Sequence, residues 1–590
     1  MNMKIILRIT VTSLLLCGVI SCKMLEPEND NHNTFDRVYN DPAFAEGLLL
    51  RAYTLIPTNN YSFDDVATDD AVTNDRVNNY MRMATGEWTA RFNPQNMWDN
   101  ANAAIMYINQ FLSVVDEVPW KRTNPEVAGL YVRRYKGESL ALRALFKFYL
   151  LRNHGGVDGA GNLLGIPLYN HFLESQEDFA LPRATFEESI QSIYADIDEA
   201  LQYMPMDFGN ISDLSQLEGT PYSDVTSTQN YNDVFGEFPQ QRITGRHVLA
   251  LRSKVALLAA SPAFNPQNDM TLWARAADEA AVLLDAINGT AGLDPKGHLF
   301  YLKEQVDEAD ITTGDRFDLR EIIWRRPITT NRDRETQNFP PTLYGLGRIN
   351  PTQNLVDAFP MANGYPIDHP ESGFDASNPY AGRDPRLSHY IVYNGSSLRN
   401  TVINTGLNGG DNGIDALPTS TRTGYYLKKL LREDVNVNPS SPSNQKHFNT
   451  HLRYTELFLN YAEAANEAWG PDGTGSHAFS ARDVIAAIRK RAGIAQPDNF
   501  LASIQDKDEF RELIRNERRL ELCFEGFRFW DLRRWKTDLS IPAQGVKISN
   551  GVYDYFNVEV RSYDNSYMHY GPIPDREITK FQLVQNKGWN

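Results

Sequence analysis

The chain is 590 residues long, carries a formal net charge of −17 and is 42% hydrophobic and 11% aromatic. That length supplies ample material for a buried core, and the acidic balance argues against nucleic acid or an anionic lipid surface as a partner. Of three cysteines, Cys17 and Cys22 stand at the N-terminus and only Cys523 follows. Once Cys17 leaves and Cys22 is modified as argued next, no intrachain disulfide remains, and packing must supply the stability.

Residues 1–21 combine Lys4 and Arg8 with an apolar stretch too short to cross a bilayer, which reads as a signal peptide. Its end, Val19-Ile20-Ser21-Cys22, resembles the bacterial lipobox, in which the cysteine is lipidated and becomes the first residue of the mature chain. Lipid chains anchor by burying CH2 groups, at about 0.8 kcal/mol each. A lipid-anchored protein working outside the cytoplasm is expected. Residues 22–40 are polar and read as a flexible tether.

Asp41-Pro42 offers an N-cap and a first-turn proline for a helix over 43–55. Residues 61–96 lack helical periodicity and are crowded with Asp, Asn and aromatics, whereas 98–115 place Ile105, Ile108, Leu112 and Val115 at helical spacing. Further helices are predicted over 130–152, from Thr185 with Glu188 as a capping box, and over 247–260 and 273–287. Residues 206–240 read as a polar loop with Tyr222 and Tyr231 as ligand contacts, transporter contacts or unordered chain, while Trp98 falls on a core face. The stretch 288–443 is rich in Gly, Pro and Asn, with short extended pieces at 322–324 and 425–427; helices return over 454–469, 481–491 and 508–522. The fold class is therefore mainly α. Helical hairpins stacked as in tetratricopeptide-like repeats form a scaffold over 41–287 and 444–536, and a loop-rich segment with short strands occupies 288–443 of a single domain, 41–590.

The run Asn516-Glu517-Arg518-Arg519-Leu520-Glu521-Leu522-Cys523-Phe524-Glu525-Gly526-Phe527-Arg528-Phe529-Trp530-Asp531-Leu532-Arg533-Arg534-Trp535 resembles the signature of the SusD/RagB family. Leu140 to Ala144 with Gly155-Gly156, Arg383-Asp384-Pro385-Arg386, Gly424-Tyr425-Tyr426 and Pro572-Ile573-Pro574 are similar to other family segments, in family order. The resemblance implies a tetratricopeptide-like fold and a surface lipoprotein of the outer membrane. Such a protein captures nutrient, most often a glycan, above a SusC-like TonB-dependent transporter. No catalytic activity, cofactor or metal is expected, and the segment 206–240 departs from the family pattern.

The dense charges of the signature read as ion networks that fix helix packing. Zinc-protease, nucleophile-elbow, phosphate-loop and dinucleotide motifs are all lacking, and the histidines show no metal-ligand spacing. Glycosidases need only two carboxylates whose pairing is invisible in sequence, so a surface glycoside hydrolase stands as an alternative, as does a RagB-like peptide carrier. Glycan capture needs flat aromatic faces beside planar polar groups. Two clusters offer both: Asp70, Asn74, Arg76 and Tyr80 leading to Trp88, and Trp324 leading to Tyr344. Trp88 and Trp324 are the expected stacking platforms.

Overall fold

A computed structural model describes residues 40–57, 64–175, 177–237, 241–309 and 319–589. Cys22 and the tether up to residue 39 lie outside the described residues, as does the end of the 206–240 segment at 238–240. Ten helices build the scaffold: α1 (Pro42–Thr54), α2 (Trp98–Leu112), α3 (Pro125–His154), α4 (Phe186–Tyr203), α5 (Gly245–Ala260), α6 (Met270–Asp285), α7 (Tyr454–Trp469), α8 (Ala481–Ala492), α9 (Lys507–Leu522) and α10 (Arg528–Trp535). Each of the first seven packs on the next in order, and α7 also receives α8 and α9, which is the stacked-hairpin arrangement expected from the sequence. No helix among the described residues is long and apolar enough to cross a membrane.

Local chemistry sets these elements. The Asp41 carboxylate accepts from the Ala43 amide at 3.0 Å, with Pro42 in the first turn, so α1 starts where a cap and a proline coincide. Thr185 and Glu188 form the reciprocal capping box that opens α4. Helix α3 begins five residues before its apolar periodicity suggests, because Asn124 caps it and Pro125 follows. Near its middle the backbone passes so close to Met204 that a Cβ on Gly137 would lie 2.4 Å from the Met204 Cγ. Two cations of α3, Arg143 and Lys147, converge on Asp196 of α4, with Lys147 Nζ at 2.7 Å; burial lowers the Lys147 ammonium to about 8.

The segment 206–237 is folded rather than loose. A 3-10 turn (Leu214–Leu217) and a helix (Thr228–Phe235) enclose a small core of Tyr222, Tyr231 and Phe235 against Val127 and Leu130 of α3. The two tyrosines are therefore buried here, not ligand contacts. Arg133 pairs with Asp224 to fasten this cap to the scaffold.

The loop-rich part contributes short strands, and every sheet among the described residues has two strands. Strand β1 (Ala71–Thr73) pairs antiparallel with β2 (Ile349–Pro351), and a hairpin of β3 (Ala543–Ser549) and β4 (Val552–Glu559) follows α10. A second core, with Phe339, Phe359, Tyr390, Tyr425 and Tyr426, joins this part to Leu520 and Phe524 at the end of α9.

An ionic clamp adds to that core in holding the two parts together. Glu517 and Glu521 of α9 face Arg386, whose Nη1 lies 2.9 and 3.0 Å from them, while Asp384 closes the same guanidinium at 2.6 Å. Arg489 and Arg491 reach the same two carboxylates from α8. The signature's charges thus pair as the sequence suggested, with Glu517, Arg518 and Glu521 buried and Arg519, Glu525 and Arg528 half-buried, and Lys429 Nζ donates to Glu525 at 2.7 Å. On α10, Arg534 holds both Glu463 oxygens at 2.5 and 2.6 Å.

Burial alone would raise the Glu463 carboxyl; the Arg534 and Arg518 guanidinia and hydrogen bonds from Arg534 and Trp535 outweigh it and hold it at about 2. Burial likewise lowers the His154 imidazole to about 3. Both groups bind protons more readily unfolded, so their stabilisation is complete above pH about 6.5 and is lost as pH falls, first through His154 and then through Glu463. The guanidinium denaturation midpoint should drop between pH 7 and pH 4; equal midpoints contradict this. Glu463→Gln, which takes from the buried Arg534 guanidinium one of its two carboxylate partners, should cost about 3–5 kcal/mol at pH 7 in the same assay.

Candidate functional site

Three loops meet where β1 and β2 pair. The first, 74–80, leaves β1; the second, 339–348, enters β2; the third spans 409–421. Asn74 ties them together from below. Its amide donates to the carbonyls of Leu346 and Gly347 at 2.9 Å each and of Ser420 at 3.3 Å, and its Oδ1 accepts from Arg348 at 3.2 Å. Asn412 adds a second tie, its Oδ1 accepting from the Thr342 amide and hydroxyl at 3.1 and 3.0 Å. Gly347 is obligatory in this joint: at φ +54, a Cβ would lie 2.4 Å from the Thr419 carbonyl oxygen.

On this braced floor stands Tyr344. It is 56% exposed and sits in the left-handed region at φ 65, where a bulky side chain is strained unless its surroundings impose it. The imposing contacts are local: the Tyr344 amide donates to the Pro341 carbonyl at 2.8 Å, and the turn closes with Gly345. Across the rim, Arg76 is exposed and Val77 is 77% exposed, and Asp411 and Leu417 are exposed on the third loop. Tyr80 is half-buried against the second core, and burial together with the charge of Asp64 raises its phenol. The tied loops thus present an open, mixed surface, with an exposed aromatic ring on one, a guanidinium on another and a carboxylate on the third. Such a surface can stack a flat apolar face and hydrogen-bond at its edge.

The sequence placed Asn74, Arg76, Tyr80 and Tyr344 in this neighbourhood, although it assigned them to two clusters that the β1–β2 pairing unites. Asn74 is buried beneath the rim and positions it. The two tryptophans do not take part. Trp88 is 3% exposed, with Trp589, Phe529 and Tyr563 edge-on at 4.7, 5.7 and 6.0 Å and its indole N–H on Asn93 at 3.1 Å. Trp324 is 4% exposed; it stacks on His247 at 5.1 Å and donates to the Gln241 carbonyl at 3.1 Å. Both are core residues, because the C-terminal segment and α5 cover them, and neither offers a free ring face. Asp70 is fully buried and pairs with Arg519 at 2.6 Å, a structural role. The third loop carries only a weak signal in the sequence, Gly409-Gly410-Asp411-Asn412-Gly413, which could touch calcium but lacks the full loop pattern; nothing local marks Asn412 as a brace.

The sequence pattern of the SusD family matches residues 320–589, and a second pattern, described as starch-binding and associating with the outer membrane, matches residues 23–214. The chain belongs to the SusD family. A curated SusD-like protein, P38 of Formosa agariphila, is 23% identical over 566 residues, covering 92% of this chain and 94% of its own. The fold matches a SusD-like protein of Bacteroides fragilis at TM-score 0.69 with 23% identity, over 94% of this chain and 98% of that one. A SusD-like carbohydrate-binding protein of the same organism matches at TM-score 0.65 with 19% identity, over 92% and 99% of the two chains.

Because Trp88 and Trp324 pack rather than bind, Trp88→Ala and Trp324→Ala should each destabilise the fold by about 3–5 kcal/mol in denaturant titration. Ligand affinity per folded molecule should be unchanged. An affinity loss without loss of stability would return these residues to the site.

Proposed function

We propose that this SusD-family protein is a cell-surface glycan-binding lipoprotein, held on the outer membrane through lipid on Cys22. It takes up an oligosaccharide on the rim around Tyr344 and delivers it to a SusC-like TonB-dependent transporter. The observation that carries the reading is Tyr344 itself. An aromatic ring, more than half exposed, is held in a strained backbone conformation by a turn that two asparagines brace from below. Strain kept at an exposed aromatic, with no packing to reward it, suits a ligand platform.

Sugar rings present C–H faces that stack on an aromatic and hydroxyls that need planar partners at its edge. Arg76, Asn79 and Asp411, all exposed on the adjoining loops, supply donors and acceptors of that kind. The association of the family with the outer membrane and the carbohydrate-binding Bacteroides fragilis neighbour support the ligand class, by analogy of fold.

A glycan array probed with the wild type, Tyr344→Ala and Arg76→Ala tests this. Selective binding by the wild type should fall about tenfold or more in Tyr344→Ala, equivalent to about 1.4 kcal/mol, while the melting temperature stays within a degree or two. Binding of peptides, displaced by no glycan, would replace the sugar with a peptide cargo. Release of new reducing ends during incubation would replace capture with hydrolysis.

A further inference from the structure

Within the helical scaffold lies a cavity of about 50 Å³, bounded by α3, α5, α7, α9 and α10 and remote in function from the rim. Its charged lining is Arg152, Lys254, Arg518 and Arg534 against Glu456 and Asp531. Most of these charges are matched. Lys254 Nζ lies 2.7 Å from Glu456, Arg518 Nε donates to Asp531 at 2.8 Å, and Arg534 divides its donors between Asp531 and Glu463.

Arg152 is the exception. Its guanidinium carbon sits 3.9 Å from the centroid of Trp530, with Tyr149 and Phe148 at 5.5 and 5.6 Å, so aromatic faces hold it in place. It is half-buried and makes no hydrogen bond or ion pair with a described residue, and its Nε is sealed from water without a partner. Asp64, Glu456 and Asp531 act on its charge only from a distance. A buried donor left unmade is costly. The neighbourhood is over-supplied with positive charge: Arg533, 5.0 Å from the same Trp530 ring, has a carbonyl of His569 as its hydrogen-bond partner. Burial and repulsion from Arg152 lower the Arg533 guanidinium to about 9.

We propose that this cavity is a binding site for one small monovalent anion, such as chloride, nitrate or formate, held by Arg152. The volume admits a few water-sized centres, enough for such an ion with a water and far too little for a sugar. An anion there supplies Arg152 with an acceptor and offsets the excess charge. It also links α3 to the family signature on α9 and α10. The inference does not depend on the glycan reading, since the cavity and the rim share no residue.

The test is thermal unfolding of the purified protein at constant ionic strength, exchanging gluconate, which is too large for the cavity, for chloride, nitrate or formate. A saturable rise on the order of 2 °C is expected with the small anions, absent in Arg152→Gln and retained in Arg91→Gln, a variant at a surface position. An equal rise with gluconate, or an unchanged response in Arg152→Gln, overturns the proposal. Should Arg152→Gln fail to fold, anomalous diffraction from wild-type crystals in bromide decides it. A peak beside Arg152 supports the site, and its absence overturns it.

Discussion

The structure depends on the carboxylates of one helix face. Glu517 and Glu521 of α9 gather Arg386 from the loop-rich part and Arg489 and Arg491 from α8, all buried. Glu525, just beyond the helix, takes Lys429 and Arg453. Removing so many charges from water is expensive, and the arrangement stands because each charge is met several times over. A loop-rich part made of two-stranded sheets has little extended pairing of its own to fix its place. The second core and the ionic clamp do that work together, and a single missing partner in the clamp would leave an uncompensated charge in the core.

The same helix also sets the rim. Arg519, next along α9 from Arg518, grips Asp70 and Asp69, and Arg528 at the start of α10 shares Asp69. Those aspartates immediately precede β1, and β1 leads into Asn74, the residue that ties the three loops. A line of direct contacts therefore runs from the family signature to the surface carrying Tyr344. The buried signature can therefore support that surface without lying on it. The signature builds a rigid floor, and the loops above it are free to differ. On the function proposed above, recognition would fall to side chains such as Tyr344 and Arg76, exposed on loops over a fixed scaffold.

The scaffold was legible in the sequence because its signals are local. Caps at Asp41 and Thr185 and the periodic faces of α7 and α9 place most helices within a few residues. The start of α3 was misplaced only because the Asn124 cap precedes the apolar period. The site was half legible. Arg76 and Tyr344 are where an exposed polar or aromatic residue was expected, but β-pairing across 276 residues, from Thr73 to Ile349, brings their loops together, and no local pattern reports that. The tryptophans misled for a physical reason: a large aromatic in a Gly- and Asn-rich stretch looks free when the segment covering it, such as Trp589 over Trp88, is hundreds of residues away. The insertion 206–237 misled in the same way, since its few aromatics suffice for a small core only when α3 supplies the other wall.

The central claim is that ligand meets this protein on the rim where the three loops converge. Hydrogen–deuterium exchange of the protein with and without a glycan mixture tests it most directly, because the amides report position without any substitution. The account predicts slowed exchange in 74–80, 339–348 and 409–421 on adding ligand, with the helices of the scaffold unchanged. Protection confined to other surfaces, with these three loops unaffected, would contradict it.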